Sequence, residues 1–593
     1  MIENRSVGVN FNEQGTASIL VWAPQAKQVA LRLTNRKVDL PLEKPDYGYW
    51  QLITGQLKPG DKYQFILDDK TLSDPASLAQ PEGVHGPSQA IDLKNFIWTD
   101  SGWKNPSQDK YIIYELHTGT FTPEGNFVGI EQKLDHLISL GITAIEIMPV
   151  AQFPGDRNWG YDGVFPFAVQ NSYGGAKGLM KLVDACHNKG VAVILDVVYN
   201  HIGPEGNYFN EFGAYFTEKY KTPWGNAINF DDAWCDAVRE YYIENALMWF
   251  RDFHIDALRL DAVHAIKDFS TKHILQEIKE EINKLIEHTG KQHYLIVELD
   301  LNDNRFINPI KNGGFGMDAQ WVDEFHHALR VTAGGERDGY YSDFNGIKDL
   351  AKSYRDAYVY DGIYSPQRLK TFGNKVEENP GQQFVVFSQN HDQVGNRMLG
   401  ERSSKLFSFE MQKLMAAAVV ASPYIPLLFM GEEWSAQSPF QYFVSHTDLE
   451  LVEAVRKGRE EEFSAFHSKG EAPDPQSEET FEHSKLNWND INTVMLDYYK
   501  TLIQLRKQLP TLSNLNRKNL TISYNEDSQT LLLERWQDEQ KVYCLMNFSK
   551  DDQPVDFDGN ENLKQVLNSA DKKWDGPGVV ANIQPQSIII YSN

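Results

Sequence analysis

Eight short runs along this chain are apolar almost without interruption, and several of them end in an acid or a histidine. In order they are IIYELH (112–117), TAIEIMPV (143–150), VAVILDVVYNH (191–201), IDALRLDAVH (255–264), HYLIVELD (293–300), MDAQW (317–321), VVFSQ (385–389) and YIPLLFM (424–430). Continuous rather than alternating hydrophobicity is the signature of parallel strands covered on both faces. Between two of the runs, Ile274, Leu275, Ile278, Ile282, Leu285 and Ile286 recur at three and four positions, which predicts a helix over 271–287 with Ser270 as its N-cap and Gly290 as its stop. Helix-like stretches at 129–140 and 175–189 separate earlier runs. Strands alternating with right-handed crossover helices predict a (β/α)₈ TIM barrel, whose strand ends all open onto one mouth.

The flanks carry a different period. TASILVWAPQAKQVALRL (16–33) and YGYWQLITGQLKPGDKYQFILD (47–68) alternate polar and apolar around turn signals such as Pro59-Gly60, and a second alternating set runs from about 520 to the end. The expected protein is therefore multidomain α/β. It has an N-terminal β-sandwich of carbohydrate-binding type over 1–95, a catalytic barrel over 96–510 with an inserted loop region at about 202–235, and a C-terminal antiparallel β domain over 511–593. The N-terminal sandwich either shapes the cleft by packing or contacts sugar directly. A chain of 593 residues exceeds a single core, in keeping with several domains.

Charge and cysteine content exclude some partners. A net charge of -25 with no basic block argues against nucleic acid, and three widely spaced cysteines suggest a reducing compartment. The start MIENRSVGVNF has no apolar leader and no stretch is long enough to cross a bilayer, so a cytoplasmic protein without membrane contact is expected.

The chemistry follows from where the runs end. Arg259 and Asp261 share one side of a strand and project from its C-terminal end; they form either a salt-bridged core pair or a functional one. Asp196, Glu298 and Asp392 close three other runs, and four such endings favour a convergent site. Glycosidic cleavage needs one carboxylic acid to protonate the leaving oxygen and one carboxylate to attack the anomeric carbon. Asp261 beside Arg259 is expected to stay ionised as the nucleophile, and Glu298 in an apolar surround to keep its proton as the acid. Asp392 would grip sugar hydroxyls, with His201 and His391 as neutral donors. The insertion is rich in aromatics, including Tyr208 and Trp224, which ordinary loop anchoring explains. Trp159, Tyr161, Trp321 and Trp434 lie near predicted strand ends, where each alone fits packing and together they fit a carbohydrate cleft. No cofactor and no metal are expected: Asn200 alone does not make a calcium site, His326-His327 and His391-Asp392 lack a closed ligand set, and no phosphate-binding glycine spacing occurs.

DVVYNH (196–201), ALRLDAVH (257–264), the acid Glu298 and QNHDQVGNR (389–397) together resemble the four conserved regions of the α-amylase superfamily, glycoside hydrolase family 13. The wording VELDLND departs from the commoner form, so the Glu298 match rests on spacing as well as motif. The resemblance implies Asp261 as nucleophile, Glu298 as general acid/base and Asp392 as transition-state stabiliser. It also implies Arg259, His201, His264 and His391 as sugar-binding partners and Tyr161 as the stacking ring.

Longer stretches, FPGDRNWGYDGVFPFAVQNSYGG (153–175), DAQWVDEFHHALRV (318–331), GEEWSAQSPFQYFVSH (431–446), VRKGREEEF (455–463) and PDPQSEETFEHSKLNW (473–488), resemble the malto-oligosyltrehalose trehalohydrolase branch of that superfamily. That implies hydrolysis of the α-1,4 bond beside a terminal trehalose, with malto-oligosyltrehalose and α-1,4-glucans as ligands and a malto-oligosyltrehalose synthase acting in sequence. Asp323, Glu324, Phe325 and His326 would line the leaving-group side, with Trp159 and Trp321 among the sugar contacts. A glucan branching enzyme or general α-glucan hydrolase fits the barrel nearly as well, and a non-catalytic glucan-binding protein is disfavoured by the three acids.

Overall fold

The computed structural model describes residues 2–465, 472–555, 563–578 and 581–593. Its centre is a closed barrel of eight parallel strands: β1 Ile113–Leu116, β2 Ala144–Ile147, β3 Ala192–Val197, β4 Ala257–Leu260, β5 Tyr294–Val297, β6 Ala319–Trp321, β7 Phe384–Phe387 and β8 Ile425–Phe429, with β8 pairing back onto β1. Seven of the strands fall inside the apolar runs, and β7 begins one residue before its run, at Phe384.

Helices α1 Phe127–Leu140, α2 Gly175–Asn188, α3 Cys235–Arg251, α4 Ile274–Thr289, α5 Asp323–Thr332, α6 Phe409–Val420 and α7 Thr493–Gln508 follow strands of the barrel. One step departs from the expected alternation, since β5 connects to β6 through only a single 3₁₀ turn, Ile310–Asn312. α4 buries Ile274, Leu275, Ile278, Ile282 and Leu285 and stops at left-handed Gly290. Its N-cap is not Ser270. His273 takes that place, accepting the Leu275 N–H through its ring, while Ser270 lies in a turn closed by Asp268.

Strand alternation decides what fills the barrel. Ile113, Ala144, Ala192, Ile194, Ala257, Ile296, Val385 and Leu427 form its apolar interior. Two residues further along, the inward row turns polar with Glu115, Glu146, Asp196 and Arg259, in pairs set by register: Glu115 opposite Glu146, and Asp196 opposite Arg259. Truncating a fully buried interior residue such as Leu427 to alanine would cost about 2–5 kcal/mol. The polar row above it is the floor of the mouth.

Before the barrel lie two antiparallel sheets, one of Gly8–Phe11, Ala17–Trp22 and Tyr49–Thr54, the other built on Val29–Leu33 and Lys62–Leu67. After it comes a five-stranded antiparallel sheet containing Leu520–Asn525, Thr530–Gln537, Gln540–Asn547, Ser587–Ser592 and Lys564–Asn568 in that spatial order. The insertion after β3 is structured, with a helical turn at Phe209–Phe212 and a hairpin of Phe216–Thr222 and Gly225–Ile228. No helix among the described residues is long and apolar enough to cross a membrane.

Candidate active site

Arg259, fully buried on β4, organises the mouth. Its Nη1 donates to Asp196 Oδ2 at 2.7 Å and to Asp261 Oδ1 at 2.8 Å, while Nη2 lies 3.7 Å from Glu298 Oε2. The guanidinium plane sits 4.4 Å over the Trp321 ring. Burial opposes the charge, but Asp196, Tyr161, Asp261 and Glu298 outweigh it and raise the pKa well above its ordinary value.

Asp261 and Glu298 follow the adjacent strands β4 and β5 directly. Asn200 Nδ2 donates to Asp261 Oδ2 at 2.9 Å, and the Ala262 N–H donates to Glu298 Oε2 at 2.7 Å. Burial pushes the Glu298 carboxyl up to about 8, with Asp261, Asp323 and Asp392 adding to the shift and Arg259 opposing it. Asp392 lies in the first turn of the short helix His391–Gly395 after β7, which Asn390 caps by accepting the Gln393 N–H, and it presents a partly exposed carboxylate 3.5 Å from His391 Nε2.

Tyr161 is carried in by Gly160, whose φ of +111° no β-carbon could share, since one would meet the Pro149 carbonyl at 2.2 Å. The tyrosine hydroxyl bonds Asp196 Oδ2 at 2.7 Å and His391 Nε2 at 2.8 Å. His201 Nε2 donates to the Tyr161 carbonyl at 2.8 Å, and the half-exposed Trp224 indole stacks flat on the imidazole at 4.4 Å. Burial lowers the His201 pKa against the pull of Asp261. His391 is expected as a neutral donor; burial lowers its pKa, but Asp392 and Glu115 outweigh burial and push it up to about 9.

The proposed leaving-group residues separate into two kinds. Asp323 and Glu324 start α5 at the rim, and burial raises them to about 7 and about 8, with Asp392 adding to the first and Asp323 to the second. His264, after β4, accepts the Asp300 N–H through its Nδ1 at 3.2 Å.

Phe325 and His326 are buried. Phe325 is wholly buried against Tyr354, and His326 is pinned between the Ser388 carbonyl at 2.6 Å and the Tyr341 hydroxyl at 2.9 Å, so neither can touch a sugar. A helix shows successive residues to different sides, which a linear reading of DEFH overlooks.

Trp159 and Trp321 are corrected likewise. Trp159 is buried on Phe440 with its indole N–H on the Gln441 carbonyl, and Trp321 lies beneath Arg259. Trp434 is buried beside Trp488.

Glu115 and Glu146 escaped notice in the sequence, where Asp196 and Asn200 carried no role in the reaction. An acid interrupting an apolar run in IIYELH and TAIEIMPV was the available signal. The N-terminal sheets reach the insertion through His85, whose Nδ1 lies 2.7 Å from the Tyr208 hydroxyl and whose Nε2 is 3.4 Å from buried Glu205. Among the described residues no cluster of three or more histidine, cysteine or acidic side chains is arranged to hold a metal ion.

The family described as "Alpha amylase, catalytic domain" matches residues 94–225. A malto-oligosyltrehalose trehalohydrolase from Saccharolobus solfataricus is 50% identical over 502 residues, covering 84% of this chain and 87% of its own. Another from Rhizobium sp. is 40% identical over 559 residues, covering 92% and 93%. The crystal structure of a Salmonella typhimurium protein assigned to the α-amylases superposes with a TM-score of 0.91 at 35% identity, covering 100% of both chains.

Proposed function

This chain belongs to the malto-oligosyltrehalose trehalohydrolases of the α-amylase superfamily, and from that premise we infer which mouth residues perform the reaction. The reaction is hydrolysis of the α-1,4 bond beside the terminal trehalose of malto-oligosyltrehalose, releasing trehalose and a malto-oligosaccharide.

Glu298 gives its proton to the glycosidic oxygen as the bond breaks, so that trehalose leaves with a free hydroxyl. Asp261 attacks the anomeric carbon through its carboxylate and forms a glycosyl ester. The ionised Glu298 then takes a proton from water, whose oxygen attacks the same carbon and frees Asp261, with retention of configuration. Arg259 aligns the nucleophile with the acid, and Asn200 orients Asp261 from the other side. Asp392, Tyr161, His391 and His201 bind the sugar whose bond is cut, while Asp323, Glu324 and His264 face the departing trehalose.

The observation that carries this assignment is that one buried guanidinium reaches both Asp261 and Glu298, at the ends of adjacent strands, while burial pushes the Glu298 carboxyl up to about 8. A malto-oligosyltrehalose synthase would supply the substrate, and three unpaired cysteines favour a cytoplasmic setting for both.

Chromatography of products from malto-oligosyltrehalose and from linear maltodextrin tests the reading. Rapid trehalose release from the first with little change in the second supports it, as does loss of that release in Asp261→Asn. Remodelling of the linear glucan without trehalose release would move the protein to branching chemistry.

A further inference from the structure

Glu115 and His391 are both about 1% exposed, and Glu115 belongs to the polar row at the floor of the mouth. Glu115 Oε2 accepts the backbone N–H of His391 at 3.0 Å, and Oε1 lies 2.5 Å from the ring Nδ1. On the other edge of the ring, Nε2 lies 2.8 Å from the Tyr161 hydroxyl. That hydroxyl has one proton, which it donates to Asp196 Oδ2, the carboxylate paired with Arg259. A hydroxyl whose proton is committed can only accept, so Nε2 carries a hydrogen. A carboxylate can only accept, so Nδ1 carries one as well.

The surrounding charges agree with the hydrogen-bond directions. Asp392 faces the ring from its own helix, Glu115 and Glu146 from β1 and β2, and Asp196 from β3 through Tyr161. Arg259 opposes the charge, and His117 is kept neutral by burial, its pKa lowered to about 4. Glu146 stands opposite Glu115 in the β1–β2 register, with both carboxyl oxygens buried and without a partner. Burial first, then Glu115, holds Glu146 protonated. Of the two glutamates, Glu115 is the one that faces the backbone N–H and the ring Nδ1 of His391.

We infer that Glu115 is a positioning residue for the hydrolysis: it keeps His391 protonated on both nitrogens, so that a cation rather than a neutral imidazole faces Asp392 and commits the Tyr161 hydroxyl to Asp196. The inference rests on the hydrolase reading for its kinetic consequence, whereas the protonation state of the ring stands apart from it. Removing the Glu115 charge leaves a buried ring between Arg259 and the partly exposed Asp392, with burial and Arg259 both favouring the neutral form.

The test combines ¹⁵N NMR of histidine-labelled full-length protein, the His391 signals identified by their loss in His391→Asn, with the pH profile of trehalose release. In the wild type at pH 7 both ring nitrogens should give protonated signals. In Glu115→Gln the ring should be neutral, and the alkaline limb of kcat/KM should move at least one pH unit lower, with Glu115→Asp restoring part of the shift. A neutral His391 in the wild type overturns the inference, and that measurement decides even if Glu115→Gln does not fold. A folded Glu115→Gln that loses activity equally at every pH overturns it too, because that is the mark of a merely structural role. A wild type that releases no trehalose at any pH would defeat the hydrolase reading instead, leaving the NMR result to judge Glu115.

Discussion

The Glu298 carboxylate accepts the backbone N–H of Ala262, the residue that follows Asp261, at 2.7 Å. Ala262 has a φ of 41°, a left-handed backbone that a residue with a β-carbon adopts at a cost of order 1–3 kcal/mol. The turn therefore ties the proton donor to the nucleophile's own loop, and the two cannot drift apart without losing this bond. Glu298→Gln keeps the shape but has no proton to give. Turnover of malto-oligosyltrehalose should fall by at least about 10³-fold, close to the usual range for a lost general acid. A substrate with an activated aryl leaving group, with azide present, should recover much of the rate. Wild-type activity of the variant on the natural substrate would refute the assignment.

The rate should also respond to pH through the same group. Glu298 must be protonated to act and its pKa stands at about 8, so kcat/KM should decline above about pH 8 rather than near 4.5. A profile flat to pH 10 would mean that another group supplies the proton.

The barrel and the three acids were legible because buried parallel strands leave continuous apolar runs, and because acids ending those runs are costly unless used. What direction a helical side chain takes was not legible. Asp323 and Phe325 are two positions apart, yet one reaches the rim and the other packs on Tyr354. The cap of α4 was misread because His273 supplies a ring nitrogen where Ser270 offered the commoner hydroxyl. Glu115 and Glu146 were visible as interruptions, but only the barrel register shows that they face each other and that His391 completes one of them.

Arg259 donates to both Asp196 and Asp261 through a single nitrogen, and is itself fully buried. Arg259→Met should abolish activity and destabilise the fold by about 3–5 kcal/mol, the usual cost of removing one partner from a buried pair. The comparison of thermal midpoints with the wild type checks this. An unchanged midpoint would show that Asp196 and Asp261 do not depend on the guanidinium.

Glu146 invites the opposite substitution. Neither of its buried carboxyl oxygens has a partner, so the side chain was desolvated without a compensating bond. Glu146→Met keeps the length and removes the unpaired groups, and should stabilise the protein by about 1–3 kcal/mol. A lower midpoint in the variant would mean that the carboxyl makes favourable interactions inside the barrel.

The raised acids make stability itself depend on pH, and the sign is fixed by their direction. Glu298 and Glu324 at about 8, and Asp323 and Glu432 at about 7, hold protons that the unfolded chain has released, so folding takes up protons between about pH 5 and 8. His187, buried between Asp100 and Asp256 at 2.8 Å from each, is raised as well, the two carboxylates outweighing burial. Each of these contributions is complete below the unfolded pKa and is lost as pH climbs through the folded one. The thermal midpoint should therefore be higher at pH 5.5 than at pH 8.5. Glu324→Gln cannot ionise, and should flatten that slope by about 1.4 kcal/mol for each pH unit over which Glu324 differs between the two states. A midpoint that rises with pH across this window, or a slope unchanged in the variant, would show that these carboxyls are ionised in the folded protein, and the proton-donor role of Glu298 would lose its electrostatic basis.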